Sequence, residues 1–333
     1  MTRYLGILAL ATIVAACSGD KGSTNDTGAT TNPGDDDDDD SACTNSATAV
    51  FPTQGDADVY YRTKVRFALD TEDATAAIAV TDNAGTEVPG SSTVTGKEVL
   101  WTGSAPLSPS TEYTATASYE CGNSAITFTT STTGSPTEVD VTGSTFALDV
   151  ANGQWLEPAG VGTLLASQLG DTQIFVSPTA VDAASVTMFG AIGSGGTQDL
   201  CSPSIPFPAA DFEDPYFSLQ SDLLPLVISG FVINIQDLDL SGAFSPDGTR
   251  IQGASLRGSV DTRPLGEVFD LGTAEDAVCQ FVAGIGVNCV ACSDGSGDYC
   301  LSVLVENIEA PVINGLTLQE RTEDDIAQDP TCN

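Results

Sequence analysis

The sequence contains no histidine. That removes Ser-His-Asp and Cys-His catalysis, and with them histidine-ligated zinc or haem. Cations are nearly as scarce. Ten Lys and Arg stand against 46 Asp and Glu, a formal net charge of −36, and no cation falls between Lys97 and Arg250. Phosphate contacts need a basic surface, so nucleic acid is not an expected partner. Such an acidic surface favours solubility and suits a salty habitat or divalent cations. Beyond the first residues there is no second long apolar run, so no transmembrane helix is expected in the mature chain. Carboxylate chemistry is the catalytic route that these absences leave open.

What is present begins at the N-terminus. Arg3 supplies a small positive region, and Tyr4 to Ala16 is apolar but too short to span a bilayer as a mature helix. The stretch ends in Val14-Ala15-Ala16-Cys17, which resembles the lipobox of bacterial lipoprotein precursors. The resemblance implies removal of residues 1–16 as a signal peptide. It also implies diacylglycerol attachment to the Cys17 sulfur and acylation of the new amino terminus. Several acyl chains anchor far more firmly than one. Residues 17–42 then read as an acidic disordered tether, rich in Ser, Thr, Gly and Asn and carrying the run Asp35 to Asp40. It has little to bury, and its like charges repel. A calcium site in the aspartate run would need a glycine-turned ligand loop that is absent, so a solvated spacer is the expected reading. Ser18 follows the anchor cysteine, and the common sorting pattern then implies outer-membrane localisation, on the periplasmic or cell-surface side.

Residues 43–133 read as short strands between turns. Val65 to Leu69 and Ala77 to Val80 alternate, with the turn Asp82-Asn83-Ala84-Gly85 after the second. Val99 to Trp101, Tyr113 to Tyr119 and Ile126 to Thr129 complete the set. This spacing, without helical periodicity, predicts a β-sandwich. The ordered segments Val50–Asp70, Ala77–Val88, Pro106–Tyr119 and Ile126–Thr132 resemble the bacterial Ig-like domain of S-layer and surface proteins. The resemblance implies a spacer or adhesion module without catalytic residues. Pro106-Leu107-Ser108-Pro109 looks like the turn feeding a strand whose Tyr113 makes a tyrosine-corner-like bond. Cys43 before the first strand and Cys121 before the last would lie at one end of such a sandwich. A bridge between them is expected, with Tyr113 buried nearby.

Residues 140–333 form a larger unit with no recognised family motif. Thr145 to Val150, Ile174 to Val176 and Val186 to Phe189 read as strands, and Gly162 to Leu169 as a short helix. Pro225 to Leu240 is the most apolar stretch and reads as one strand. After Ser245-Pro246-Asp247-Gly248, Ile251 to Val260 returns antiparallel as a long hairpin. Thr273 as N-cap, an acidic Asp276 and the apolar face Ala277, Val278, Phe281 and Val282 predict a helix stopped at Gly284. Leu301, Val303 and Val305 make a late strand. The expected fold class is mainly β: an Ig-like β-sandwich followed by a larger, disulfide-stapled β-rich domain with one or two short helices.

Cysteine is the most informative local feature. With Cys17 acylated, Cys43, Cys121, Cys201, Cys279, Cys289, Cys292, Cys300 and Cys332 remain, an even number, which in an exported chain predicts four disulfides. A four-thiolate metal site competes, because Cys289 and Cys292 have suitable spacing, but the outer spacings do not repeat that pair. Bridges within the cluster are expected to pin the helix carrying Cys279 to the strand beginning at Cys300. Asp294 and Asp298 are candidate calcium ligands, though a glycine-rich turn between cysteines accounts for them equally. No other cofactor or metal is expected. Arg250, Arg257 and Arg263 are rare cations, expected to pair with carboxylates such as Asp247 and Asp261 rather than with an anionic ligand. Trp101 and Trp155 are expected in the core.

The leading functional reading is a non-enzymatic cell-envelope lipoprotein. An Ig-like module would present a β-rich binding or structural domain to an envelope protein or glycan. Two alternatives stand beside it: an envelope enzyme using carboxylate acid–base chemistry on glycans, and a carrier of apolar ligands. The anchor is directly testable. Cys17→Ser is expected to abolish acylation and move the protein from the detergent phase to the aqueous phase on phase separation. Unchanged partitioning of the variant would sink the lipoprotein reading.

Overall fold

The computed structural model describes residues 43–158, 172–228 and 231–332. Cys17, the run Asp35 to Asp40 and the expected helix Gly162 to Leu169 lie outside the described residues.

Alternation of small or apolar residues with Thr and Ser sets the first strands. These are β1 (Ala47–Phe51), β2 (Val65–Leu69), β3 (Ala77–Asp82), β4 (Gly90–Thr95), β5 (Glu98–Gly103), β6 (Glu112–Tyr119) and β7 (Gly122–Thr129). In β6, Tyr113, Ala115 and Ala117 are buried while Glu112 and Ser118 are exposed. The strands form two sheets, in the orders β1-β2-β5-β4 and β3-β6-β7. Lettered A to G along the chain, these are ABED and CFG, the arrangement of a constant-type immunoglobulin sandwich. Val65, Phe67, Val80, Val99, Trp101 and Phe128 fill the space between them. Edge strand β4 has no apolar pattern. It fits because Gly90 lets the Trp101 ring lie against it, where a Cβ would sit 2.4 Å from the ring.

The Tyr113 hydroxyl accepts a hydrogen bond from the Ser108 amide at 2.8 Å. Cys43 and Cys121 are bridged, with Cα atoms 5.3 Å apart. The expectation that Tyr113 lies near this bridge is corrected. Tyr113 is at the start of β6 and Cys121 beyond its end, so the length of an extended strand separates them.

The second part is one long antiparallel sheet. It comprises β8 (Phe146–Leu148), β9 (Gln154–Glu157), β10 (Thr172–Val181), β11 (Ser185–Ser194), β12 (Thr197–Gln198), β13 (Ile205–Pro206), β14 (Ala210–Glu213), β15 (Tyr216–Ile228), β16 (Phe231–Phe244), β17 (Arg250–Asp261) and β18 (Cys300–Pro311). Its order is β8-β10-β11-β14-β15-β16-β17-β18-β9, with β12 and β13 on β11. The sheet returns to its own start. Phe146 bridges Val312, the Asp149 amide donates to the Glu309 carbonyl at 2.9 Å, and β9 continues along β18. The run from β8 to β9, broken by a 3₁₀ turn at Val150–Asn152, therefore closes a barrel, which removes the unpaired edges of an open sheet. Inside, Phe146, Phe217 and Phe244 are fully buried. The Phe244 ring lies 5.7 Å from Phe146 and 5.3 Å from Phe217, tilted against both, a cluster of large rings that fills that part of the interior.

Several expectations are corrected here. The apolar stretch Pro225 to Leu240 is two strands, β15 ending at Ile228 and β16 starting at Phe231. The sequence carries a cue to this break, the turn dipeptide Ser229-Gly230, which the apolar residues on both sides of it mask. The expected hairpin of β16 with β17 is present. The expected strand Thr145 to Val150 reduces to β8, because the 3₁₀ turn interrupts it.

Three short α-helices occur among the described residues: α1 (Leu265–Val268), α2 (Ala277–Ala283) and α3 (Glu323–Gln328). Asp276, not Thr273, occupies the N-cap of α2, without a side-chain capping bond. Val278 and Val282 are buried against Leu301, whereas Phe281 is exposed. The inward face is therefore narrower than its apolar composition predicts.

Cysteine pairing is Cys201–Cys332, Cys279–Cys289 and Cys292–Cys300, besides Cys43–Cys121. Contrary to expectation, neither bridge in the cluster joins helix to strand. One ties α2 to the following loop, and the other ties that loop to β18. Closing a loop of this length stabilises by about 2–3 kcal/mol. Replacing Cys279 and Cys289 together by Ala is expected to lower stability by about that amount. Amide exchange should accelerate over residues 277–289 while β16 and β17 keep their protection. Uniform acceleration across the barrel would contradict the local role assigned to this bridge.

Candidate functional site

Cys43 to Asn333 forms one compact unit, and the sandwich lies directly on the barrel wall. The chain between β1 and β2 makes the contact. Tyr60 and Tyr61 are buried with Ala243 of β16. Gly253 of β17 has φ +60°, and a Cβ there would sit 2.2 Å from the Tyr60 ring. Only glycine accepts both that backbone conformation and that approach.

Two bulges shape this wall. Between the pairs Ile251↔Ala310 and Ala254↔Ile308, β17 has two residues opposite one. Between Ala254↔Ile308 and Leu256↔Val305, the extra residue belongs to β18. The offsets cancel, so the register beyond them is restored. Bulges re-aim side chains, and here Gln252, Glu306 and Asn307 meet the sandwich or line the cleft beside it. Asn307, at φ +55°, donates from Nδ2 to Gln154 Oε1 at 2.8 Å.

Polar contacts across the seam are extensive. Lys64 Nζ lies 2.6 Å from Glu306 Oε1, and Arg66 Nη2 lies 3.2 Å from Glu306 Oε2. The Arg66 side chain is only 8% exposed and that of Glu306 only 16%. Ser131 Oγ donates to Gln252 Oε1 at 2.6 Å, and Gln252 Nε2 donates to the Asp58 carbonyl at 2.7 Å. Arg250 pairs with Asp58 and sits 3.8 Å from Glu309. Burial pushes the Glu309 carboxyl up, and Arg250 works against that rise. The Arg62 guanidinium stacks on the Tyr216 ring, 3.9 Å from its centroid, and its Nε donates to the Tyr61 hydroxyl at 3.1 Å.

Beside these residues is a cleft of about 210 Å³, lined among others by Tyr60, Arg62, Lys64, Arg66, Tyr216 and Glu306. A second cavity, of about 780 Å³, opens where β8 and β11 end and β10 begins. Leu148, Val150, Ala151, Ile174, Ile192 and Leu226 are among its lining residues, with Asp149 its carboxylate among the described ones. A mouth of this size falls within the ~300–1,000 Å³ range of small-molecule sites.

The residues singled out from sequence lie elsewhere. Asp294 is exposed, and Ser296, through both hydroxyl and amide, holds its carboxyl below the usual carboxylate range. Asp298 is exposed too. Among the described residues, no three His, Cys, Asp or Glu side chains converge to hold a metal ion. Arg263 pairs with Asp261 at 2.7 Å, as expected. Arg250 does not pair with Asp247. That carboxylate is engaged by Ser245 and Thr249 in the turn, and Arg250 turns to the sandwich instead. Arg257 is exposed, opposite Asp239 on β16. Trp101 is core, while Trp155 is half-buried and donates from Nε1 to the Val150 carbonyl at 3.1 Å.

Arg62, Lys64 and Arg66 were not among the residues singled out. Three of ten cations within five positions of so acidic a chain was the signal available. No protein-family model matches this sequence, and a search of curated proteins found no match.

The seam has a direct test. Glu306→Gln leaves the buried Arg66 guanidinium without its carboxylate. The expected loss is about 2–4 kcal/mol, because breaking a buried pair costs ~3–5 and Lys64 here stays partly solvated. It should appear as a lower denaturation midpoint at unchanged slope. A shift within about 0.5 kcal/mol, the range of ordinary surface substitutions, would show that Glu306 does not hold the two parts together.

Proposed function

We propose that this protein is a non-enzymatic lipoprotein of the cell envelope, anchored through Cys17 in the outer membrane, whose barrel is a binding module for apolar ligands. The lipobox-like motif and the acidic segment after it support the anchor. The strand order of the sandwich, together with the Tyr113–Ser108 bond, supports kinship with bacterial Ig-like domains. The observation that carries the binding role is the barrel mouth. Closed antiparallel barrels hold small ligands at their open ends. Here Phe146 and Phe217 fill the interior around Phe244, while a cavity of about 780 Å³ opens at one end of β8, β10 and β11.

The carboxylate-enzyme alternative gains nothing from the cavities. Glycoside hydrolysis needs two facing carboxyl groups. Among described lining residues the mouth presents Asp149 and the seam cleft Glu306, one each.

The test uses an uncharged naphthylamine probe that fluoresces in apolar surroundings. Wild-type protein is expected to bind it saturably with a Kd of about 1–10 μM. Ala151 lines the mouth on the 3₁₀ turn and is only partly buried, so Ala151→Trp fills the cavity without cutting into the core. This variant should bind at least about tenfold more weakly, a loss of roughly 1.4 kcal/mol, with an unchanged melting temperature. Absence of saturable fluorescence with wild type, or equal affinity of the two proteins, would overturn the ligand role.

A further inference from the structure

The seam cleft shares no described lining residue with the barrel mouth, and its chemistry is of the opposite kind. In a chain of net charge −36, three cations line one small cleft and face a single carboxylate, that of Glu306. Lys64 and Arg66 share that carboxylate. Arg62 has only a loose ion pair, with Glu213 3.9 Å away and the Glu213 side chain 88% exposed. Its guanidinium is instead held flat by the Tyr216 ring and by the Tyr61 hydroxyl, a fixed fork of donors.

A second observation is independent of charge. Tyr60 lines the same cleft, and its hydroxyl, buried beside that of Tyr61, makes no hydrogen bond of ordinary length. The adjacent Tyr61 hydroxyl is already engaged by Arg62. A buried hydroxyl left unpaired is destabilising, and it persists where something else satisfies it. Gln154, Asn307, Ser241 and Ser255 add amide and hydroxyl groups around the cleft.

We propose that the seam between sandwich and barrel is a binding site for a small oxyanion, a carboxylate, sulfate or phosphate, free or carried on a molecule no larger than a single sugar ring. Arg62 supplies the planar donor fork, Lys64 a second positive charge, and the Tyr60 hydroxyl a neutral donor. The volume of about 210 Å³ sets the size limit, since drug-sized ligands take ~300–1,000 Å³. Because both parts of the protein form its walls, the site exists only when the sandwich is seated on the barrel.

The experiment is isothermal titration of the intact protein with sodium glucuronate, sodium sulfate and, as neutral control, glucose. Glucuronate or sulfate is expected to bind with a Kd of about 1 mM or tighter, and glucose not to bind. Tighter glucuronate than sulfate assigns the site to a sugar acid, whereas equal affinities assign it to the free anion. Arg62→Gln should weaken binding about tenfold, roughly 1.4 kcal/mol. Tyr60→Phe should weaken binding while holding or raising the melting temperature, because it deletes an unpaired buried hydroxyl. That combination separates a ligand role from a structural one. Failure of both anions to saturate, or wild-type affinity in Arg62→Gln, would overturn the proposal, whatever the naphthylamine probe does at the mouth.

Discussion

β18 is hydrogen-bonded along both of its edges, and the rest of the architecture depends on that. On one side it pairs with β17. On the other it takes β9 and, just beyond its end, β8. Without the second pairing the sheet would be an open ribbon with β8 and β18 as bare edges, exposed to addition of another strand. With it, the inward faces enclose Val305, Ile308, Phe146 and Phe244, all fully buried. The outward face of the same strand, re-aimed by its bulge, presents Glu306 to the sandwich. Closure of the barrel and docking of the sandwich are thus two consequences of one strand.

The docking changes what the sandwich is. A spacer module joined by a flexible linker makes few contacts with its neighbour. Here the connecting chain is itself tied down. The Glu138 amide donates to the Pro246 carbonyl at 2.8 Å, Thr137 is hydrogen-bonded to Asp214, and Val141 is already part of the barrel core. Tyr60 against Gly253 leaves no room for sliding. The sandwich is therefore a wall of the structure, and it supplies Arg62, Lys64 and Arg66 to a cleft that neither part would form alone.

Much of this was legible in sequence where the determinants are local. Period-two alternation placed β3 and β6 closely, because one face of each is buried and the other more exposed, and it placed β2 although the seam buries Arg66 on its outer face. The even number of cysteines after Cys17 pointed to disulfides, but not to their partners, which are set by where the loops return. What failed was non-local. One exception is the reversal between Pro225 and Leu240, where the turn dipeptide Ser229-Gly230 was a local cue that the apolar residues on either side masked. The contact of Phe146 with Val312 has no sequence signature. At the seam, the cation cluster stood out in principle, yet its partner Glu306 is one of 46 acidic residues. Its direction depends on a bulge marked only by Asn307 and, on the opposite strand, by Gly253. Arg250 misled for the same reason: Asp247 is near in sequence, but the turn had already engaged it.

Net charge sets how this assembly responds to salt. A chain with so large an excess of carboxylates works against its own compaction through long-range repulsion, which salt screens over roughly 10 Å or less at physiological strength and above. The Lys64–Arg66–Glu306 contact responds differently. Its distances are 2.6 and 3.2 Å and its carboxylate is largely buried, so added salt weakens it much less than it weakens the surface repulsion. Rising ionic strength thus removes a destabilising term while leaving the attraction at the seam nearly intact. The scarcity of cations and their concentration at one interface together suit a protein that is most firmly assembled in salty surroundings.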